Sequence, residues 1–523
     1  MFGRKKGALS DPNLRTVPMS GAILVAGTCS DAGKSLVTAG ICRWLHRQGV
    51  SVAPFKAQNM ALNSVVAPDG AEIGRAQVVQ AAAAGVPAEA AMNPVLIKPS
   101  GERHSQVIVN GKPFADADAR SYQSLKHELR GAVADALASL RARFDVVVCE
   151  GAGSPAEINL RAGDLANMGL ARAADLPVLV VGDIDRGGVF ASFHGTLALL
   201  EPADQAHVAG FLINKFRGDQ SILQPGIDQL HELTGRPTLG VMPYLDDLWM
   251  DVEDSLSLDH RPELPPAPGD DALEVAVVRL RWMSNFTDAD ALSAEPGVRV
   301  RFTRSAADIA RADLVIVPGT KATVEDLARL RADGLDGALR RRAATGDPIL
   351  GVCGGYQLLG ERIDDDVESK AGAVEGLGLL PVTTTFAADK VLTRPAATCD
   401  WLRGTPVSGY EIRHGRPVRH GGEPLFGPGE GCRVGWTLGT SWHGALEGDT
   451  FRRALLHRVA AHRGRHFTGG TAAFADVREQ RLDRLGDLIE QHADTAALHS
   501  LIEGGAPTDL PTLATALEAP CSA

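Results

Sequence analysis

Paired cysteines are the first thing this sequence lacks. Its seven cysteines are Cys29, Cys42, Cys149, Cys353, Cys399, Cys432 and Cys521, scattered through 523 residues with no CxxC spacing. That excludes a zinc ribbon or a disulfide framework and points to reduced thiols in a cytoplasmic protein. An excess of positive charge is missing too. At a net charge of -11 the chain is not suited to follow a phosphate backbone or an anionic bilayer, so neither nucleic acid nor membrane is an expected partner. No apolar run approaches membrane-spanning length. Residues 1–20 carry Arg4-Lys5-Lys6 without the apolar stretch of a signal peptide, and read as a disordered lead. There is no internal repeat.

What remains is ordinary globular composition, 44% hydrophobic and 22% charged, over a length that suits about three domains. Near the start, the apolar run Ala22-Ile23-Leu24-Val25-Ala26 reads as a buried strand and Ser35 to Gln48 as a helix. Between them lies Gly27-Thr28-Cys29-Ser30-Asp31-Ala32-Gly33-Lys34-Ser35. Gly-Lys-Ser at the opening of a helix is phosphate-cradling chemistry. Backbone N–H groups of Gly27, Thr28 and Gly33 face inward, Lys34 neutralises charge, and the Ser35 hydroxyl is free for Mg²⁺. Five residues separate the two glycines, one more than in the common P-loop.

Further strand-like runs (51–55, 144–149, 176–181, 207–213 and 238–242) alternate with helical stretches at 120–143 and 221–233. This is the pattern of a doubly wound parallel sheet, in which ligands bind at the carboxyl ends of strands. The polar segments fall there. Lys56, Gln58 and Asn59 follow one strand. Glu150 follows another, as a second Mg²⁺-directed carboxylate should. Asp183 follows a third, as a phosphate or substrate contact or a helix cap. Asn214-Lys215 resembles the start of a guanine-reading motif, but Arg217 stands where its acid belongs, which favours ATP over GTP.

A proline-rich stretch (262–271) reads as a semi-rigid spacer, after which a second α/β pattern begins. Its centre is Ile349-Leu350-Gly351-Val352-Cys353-Gly354-Gly355-Tyr356. An apolar strand ending in a cysteine flanked by Gly351 and Gly355, with a helix after it, is the cysteine form of a nucleophile elbow. The Gly354 N–H is then placed for an oxyanion, and the turn Pro318-Gly319-Thr320 supplies a second such donor at Gly319. A cysteine nucleophile needs a base. His443, in the exit loop of the strand-like run 434–438, is the best placed, with His414, His420 and His457 as rivals.

These residues carry a resemblance. The longer Gly-Thr…Gly-Lys-Ser loop and Glu150-Gly151-Ala152-Gly153 resemble the dethiobiotin synthetase group. Within it, Lys56 to Met60, the segments 150–160, 163–169, 183–189 and 214–219, and Gly409-Tyr410-Glu411-Ile412-Arg413-His414-Gly415 resemble the cobyric acid synthase family. The second half resembles triad-type glutamine amidotransferases, with Thr440 to Gly444 as the histidine loop. In most such enzymes a glutamate lies two residues after the histidine, where this chain has Ala445; Glu447 is the candidate orienter.

The resemblance implies an α/β chain. A doubly wound P-loop ATPase and amidoligase domain spans 21–261. The linker 262–271 leads to a flavodoxin-like class I glutaminase domain at 272–466, and a short helical extension fills 467–523. It implies ATP and Mg²⁺ as cofactors, and corrinoid, glutamine and ATP as small-molecule partners, with Tyr410 and Glu411 facing the substrate or the domain interface; it assigns no oligomeric state. The expected reaction is ATP-dependent amidation of the b, d, e and g carboxylates of adenosylcobyrinic acid a,c-diamide. The alternatives are the a,c-diamide synthase with the same domain pair, an enzyme amidating a cell-wall lipid precursor, and a ParA-like ATPase switch with a non-catalytic glutaminase module.

Overall fold

The computed structural model describes residues 19–101, 104–245 and 264–513, so most of the expected lead, the start of the linker and Cys521 lie outside the described residues. Chain order in the first half runs β1 (Gly21–Gly27), α1 (Lys34–Arg47), β2 (Val52–Phe55), β3 (Gln58–Met60), β4 (Ser64–Val66), β5 (Glu72–Gly74) and α2 (Arg75–Ala83). It continues through β6 (Val95–Pro99), β7 (Ser105–Val109), β8 (Lys112–Ala117), α3 (Ala119–Arg141), β9 (Val146–Glu150), β10 (Val178–Asp183), β11 (Val208–Phe216) and β12 (Thr238–Pro243). Six of these strands form a parallel sheet in the order β12-β11-β10-β1-β9-β2. Its central strands are apolar on both faces because helices cover both, as parallel sheets require. Beside it, β3-β6-β7-β8 make a small mixed sheet and β4-β5 an antiparallel pair.

The second half repeats the layered plan. β13 (Leu273–Val278), β14 (Val298–Thr303), β15 (Leu314–Val317) and β16 (Ile349–Val352) lie parallel with the strand Thr437–Thr440, and Cys432–Val434 closes the sheet antiparallel. The single strand expected over 434–438 is therefore two. Gly435 turns with a φ of 58°, which a side chain resists, and Val434 pairs back onto Thr437. The proline-rich linker is no free spacer. Leu264 accepts a hydrogen bond from Gly297, and the Asp270 carboxylate holds His466 and Thr468, so its described part lies along the second domain.

The C-terminal helices Phe474–His492 and Thr495–Gly504 return to the first domain. Leu482, Leu485, Ile489, Leu498 and Ile502 share one core with Ile23, Val25, Ile41 and Leu45. Gly40 of α1 admits the approach: a Cβ there would stand 2.9 Å from the Leu485 carbonyl oxygen. Arg43 adds ion pairs to Glu479 at 2.8 Å and Asp483 at 2.9 Å. Burying each such leucine or isoleucine stabilises by about 1.5–3 kcal/mol, so apolar packing outweighs the half-exposed charges. The two domains meet through β4, β5 and α2. Val66 clusters with Tyr410 and Ile412, the Ser64 N–H donates to Asn285 Oδ1 at 2.8 Å, and Arg75 pairs with Glu447 at 2.6 Å. Among the described residues no helix is long and apolar enough to cross a membrane.

Candidate active site

The loop after β1 is shaped by Gly33, at a φ of 101°, where any Cβ would collide with the Asn214 amide; that amide donates to the Ala32 carbonyl at 3.0 Å. Gly27 is equally tight, a Cβ there falling 2.9 Å from the Lys34 stem, and Thr28 continues the loop. Lys34 bridges it, donating to the carbonyls of Cys29 at 2.9 Å and Gly153 at 3.1 Å. At the ends of β1 and β9 the Ser35 hydroxyl donates to Glu150 at 2.7 Å. Glu150 is wholly buried and also accepts from Lys56 at 2.9 Å and Gln80 at 2.5 Å. Burial alone would raise its pKa, but the Lys56 ammonium and these hydrogen bonds hold the carboxyl below its usual range.

A serine hydroxyl beside an ionised carboxylate is a hard-oxygen pair that fits Mg²⁺, which takes few protein ligands and fills the rest with water and phosphate. Among the described residues no cluster of three or more His, Cys, Asp or Glu competes for a metal. Asp183 receives Lys215 at 2.9 Å and Arg186 at 3.3 Å, and Lys215 also reaches the Asp31 carbonyl. Arg217, in place of the absent acid, lies over the Tyr244 ring at 3.7 Å. Gln58 accepts from the Tyr122 hydroxyl at 2.5 Å, and Asn59 donates to Gln77 at 2.9 Å.

In the second domain Cys353 has φ 49° and ψ -108°, a backbone conformation that a non-glycine residue holds only when its surroundings impose it. They do. Its N–H donates to Thr440 at 2.7 Å, a Cβ on Gly355 would stand 1.9 Å from the Val317 carbonyl, and one on Gly351 2.7 Å from Leu359. His443 is buried beside it, stacked on Tyr410 at 5.5 Å. On the far side of the imidazole lies Asp288, whose carboxylate accepts hydrogen bonds from His443 Nδ1 at 2.7 Å and from the Gly444 N–H at 2.7 Å. Burial would depress the imidazole pKa, yet the charges of Asp288 and Cys353, with a hydrogen bond to each, raise it to about 10.

Asp288 lies 155 residues before His443, so proximity in sequence could not reveal it. The available signal was topological: it sits in the loop after β13, at the carboxyl edge of the sheet that carries Cys353. Glu447 does not orient His443. Its carboxylate is taken by Arg75 at 2.6 Å and Arg478 at 2.7 Å. Of the rival histidines, His414 donates to the Ala387 carbonyl and receives Gln106 of the first domain at 3.2 Å, while His420 bonds Thr383 and His457 packs on Phe467.

Gly319 faces His443, with a Cβ there 2.7 Å from the imidazole, and Gly354 faces the Thr320 N–H. Among the described residues none of these three N–H groups donates to another backbone group. A cavity of about 40 Å³ is lined by Cys353, Gly354, Thr320, His443, Arg413 and, from the first domain, Lys98. Glu411 turns from it to pair with Arg413 at 2.8 Å and accept from Thr393, while Tyr410 is buried at the domain interface.

Comparison with known proteins agrees with this division. Residues 23–258 match the model of the CobQ/CobB/MinD/ParA nucleotide binding domain, and residues 274–451 that of the CobB/CobQ-like glutamine amidotransferase domain. Fold and site thus define a glutamine-dependent amidoligase with its nucleotide-binding and amidotransferase domains on one chain. The cobyric acid synthase of Streptomyces coelicolor is 61% identical over 500 residues, covering 94% of this chain and 98% of that one. That of Frankia casuarinae is 58% identical over 516 residues (94% and 99% covered), and that of Rhodococcus jostii 56% over 506 (95% and 98%). The chain belongs to the cobyric acid synthase family.

Proposed function

We propose that this protein makes cobyric acid, amidating the b, d, e and g carboxylates of adenosylcobyrinic acid a,c-diamide with ATP and glutamine. The observation that carries the reading is the near full-length identity of 61% to a cobyric acid synthase. The Cys353–His443–Asp288 cluster, opening toward the ATPase domain, supplies the chemistry. Residues 21–261 act as the ligase domain, 272–466 as the glutaminase and 467–523 as an extension bracing the first. Corrinoid, glutamine and ATP are its partners, with no nucleic acid or membrane among them, and the cytoplasm is its compartment.

At the second site the Cys353 sulfur attacks the glutamine side-chain carbonyl, and the oxyanion rests on the N–H groups of Gly354 and the Gly319-Thr320 turn. His443 gives its proton to the departing nitrogen as the C–N bond breaks, which frees ammonia and leaves a glutamyl thioester. Water, deprotonated by His443, then releases glutamate and restores the thiol. Asp288 holds the imidazole in the tautomer that does this and stabilises its cation.

At the first site a substrate carboxylate oxygen attacks the γ-phosphorus of ATP and the bond to ADP breaks, giving an acyl phosphate. Gly27, Thr28, Gly33, Lys34 and Asn214 form the phosphate cradle, and Lys34 offsets the developing charge. Ser35 and Glu150 would hold Mg²⁺, whose contribution when bound is further charge neutralisation. Ammonia then attacks the acyl carbon, phosphate leaves, and the new amide nitrogen sheds its proton. Lys56, Gln58, Asn59 and Asp183 border this site as substrate or phosphate contacts, and Tyr410 and Glu411 flank the interface.

Incubation with the diamide, Mg-ATP and amide-¹⁵N glutamine, followed by mass spectrometry, tests the reading. Stepwise ¹⁵N gain up to cobyric acid is expected. Hydrolysis of glutamine with no gain on the corrinoid would move the acceptor elsewhere.

A further inference from the structure

The chemistry at Cys353 draws on two irregular segments that leave neighbouring strands. The turn Pro318-Gly319-Thr320 follows β15, and the segment 281–288, which ends at Asp288, follows β13. They run against each other. Met283 and Thr320 form an antiparallel bridge, Ser284 donates to the Gly319 carbonyl at 2.8 Å, and Lys321 donates to the Trp282 carbonyl at 2.9 Å. Gly319 has no room for a side chain here, since a Cβ would stand 3.0 Å from the Ser284 carbonyl oxygen as well as 2.7 Å from His443. How the two segments are held therefore decides where the oxyanion donors and Asp288 lie about the sulfur.

One buried carboxylate outside the triad grips both. Asp326 lies in the first turn of the helix Thr323–Ala332 and is 1% exposed. It accepts from the Arg281 N–H at 2.9 Å and the Trp282 N–H at 3.1 Å on one segment, and from the Thr320 hydroxyl on the other. That hydroxyl accepts in turn from the Ala322 N–H at 3.1 Å, so its own proton is left for Asp326 and the Thr320 side chain is fixed from both sides. These donors to Asp326 are all neutral. Burial pushes its carboxyl above the usual carboxylate range, against the pull of the hydrogen bonds. An apolar side chain in its place would escape that cost, but it would leave the two segments without a common acceptor.

We infer that Asp326 is a positioning residue of the glutaminase reaction: its carboxylate locks the Gly319-Thr320 turn to the segment that carries Asp288, setting the oxyanion donors and the triad acid in one geometry about Cys353. The inference rests on the glutaminase chemistry proposed above. Asp326 acts through its neighbours, for the Cys353 cavity is lined by Thr320, Ser284 and Asn285 of the two gripped segments and not by Asp326 itself. Donors aimed at an oxyanion stabilise charge that exists only in the transition state. A loosened aim therefore lowers kcat and leaves KM for glutamine nearly unchanged.

The test measures glutamate release by the full-length protein with diamide, Mg-ATP and glutamine present. Asp326→Asn keeps the volume but turns one of the two accepting oxygens into a donor. Thr320→Val removes only the hydroxyl from the turn, and so reads the same link without touching the buried charge. Asp326→Asn should lower kcat about 30-fold or more and Thr320→Val about ten-fold, each with KM for glutamine within about three-fold of wild type. Because both act through one hydrogen bond, the double variant should fall within about three-fold of Asp326→Asn alone, not at the product of the two losses. Asp313→Asn is the control. Asp313 is as buried as Asp326 and accepts from the Glu274 N–H at 3.0 Å, but it precedes β15, at the opposite edge of the same sheet. Its substitution should lower the urea midpoint while kcat stays within about two-fold. Wild-type kcat in Asp326→Asn or Thr320→Val, a loss carried by KM alone, or an equal kcat loss in Asp313→Asn would overturn the positioning role. A wild-type protein that releases no glutamate would instead overturn the glutaminase chemistry beneath it.

Discussion

The ATP-site cluster and the Cys353 cluster both sit at the carboxyl ends of parallel strands, yet they are assembled differently. Lys34 and Ser35 belong to one loop and helix start, and Glu150 ends the strand hydrogen-bonded to that loop's own strand. Cys353 has its elbow, but His443 comes from the neighbouring strand's exit, Asp288 from 155 residues before the histidine, and Lys98 from the other domain. The first centre is mostly local sequence. The second exists only once the domain has folded and docked.

The largest effects separate the two centres. Lys34→Ala removes the charge that bridges the phosphate loop, so glutamine-dependent and ammonia-dependent amidation should both fall by about 10³-fold or more, with basal glutaminase kept. Cys353→Ala should abolish glutamine-dependent amidation and spare the ammonia-dependent reaction, measured as corrinoid amide formed from each nitrogen source. A folded Cys353→Ala protein inactive with both sources would contradict the division of labour.

Next in size is Asp288→Asn, which reverses the hydrogen-bond demand at His443 Nδ1. Glutaminase kcat should drop by about 10²–10⁴-fold while ammonia-dependent amidation is unchanged. Glu447→Gln should leave glutaminase within about three-fold, because its carboxylate serves Arg75 and Arg478. The same aspartate links stability to pH. His443 titrates near 10 in the folded protein against an ordinary 6.5, so its pairing stabilises fully below pH 6.5 and is lost as pH rises through about 10. The stability gap between wild type and Asp288→Asn in urea unfolding should therefore be widest at pH 6 and narrow steadily toward pH 10. A gap that grows with pH would contradict a charged imidazole.

What could be read from the chain alone follows the same contrast. The P-loop, the alternating strands and the cysteine elbow are contiguous patterns imposed by backbone sterics and phosphate geometry. Each residue named there has its partner within a short stretch or at an adjacent strand end. The hairpin at Gly435 escaped because one glycine between apolar residues resembles a continuing strand. Glu447 attracted the triad role because it lies close to His443 in sequence, and Asp288 went unread because its only link to His443 is the sheet order. The tail carried helical periodicity, but nothing in it said that its apolar face would meet α1, 440 residues earlier at Arg43–Asp483, and β1.

That returning tail gives the smaller predictions, which ask whether long-range assembly matters away from chemistry. Leu485 is fully buried between its own helix and α1, so Leu485→Ala should cost about 2–4 kcal/mol in chemical unfolding of the first domain. Arg43→Ala should cost under about 1 kcal/mol, although Arg43 makes two ion pairs across the same contact. Both acidic partners are about half exposed, where water already solvates them and salt screens the pair. Combining each substitution with high salt sharpens the distinction, since the Arg43 effect should vanish in 1 M NaCl and the Leu485 effect should persist. If Arg43→Ala proved as costly as Leu485→Ala and kept its cost in salt, charge rather than apolar burial would be what fastens the tail to the ATPase domain.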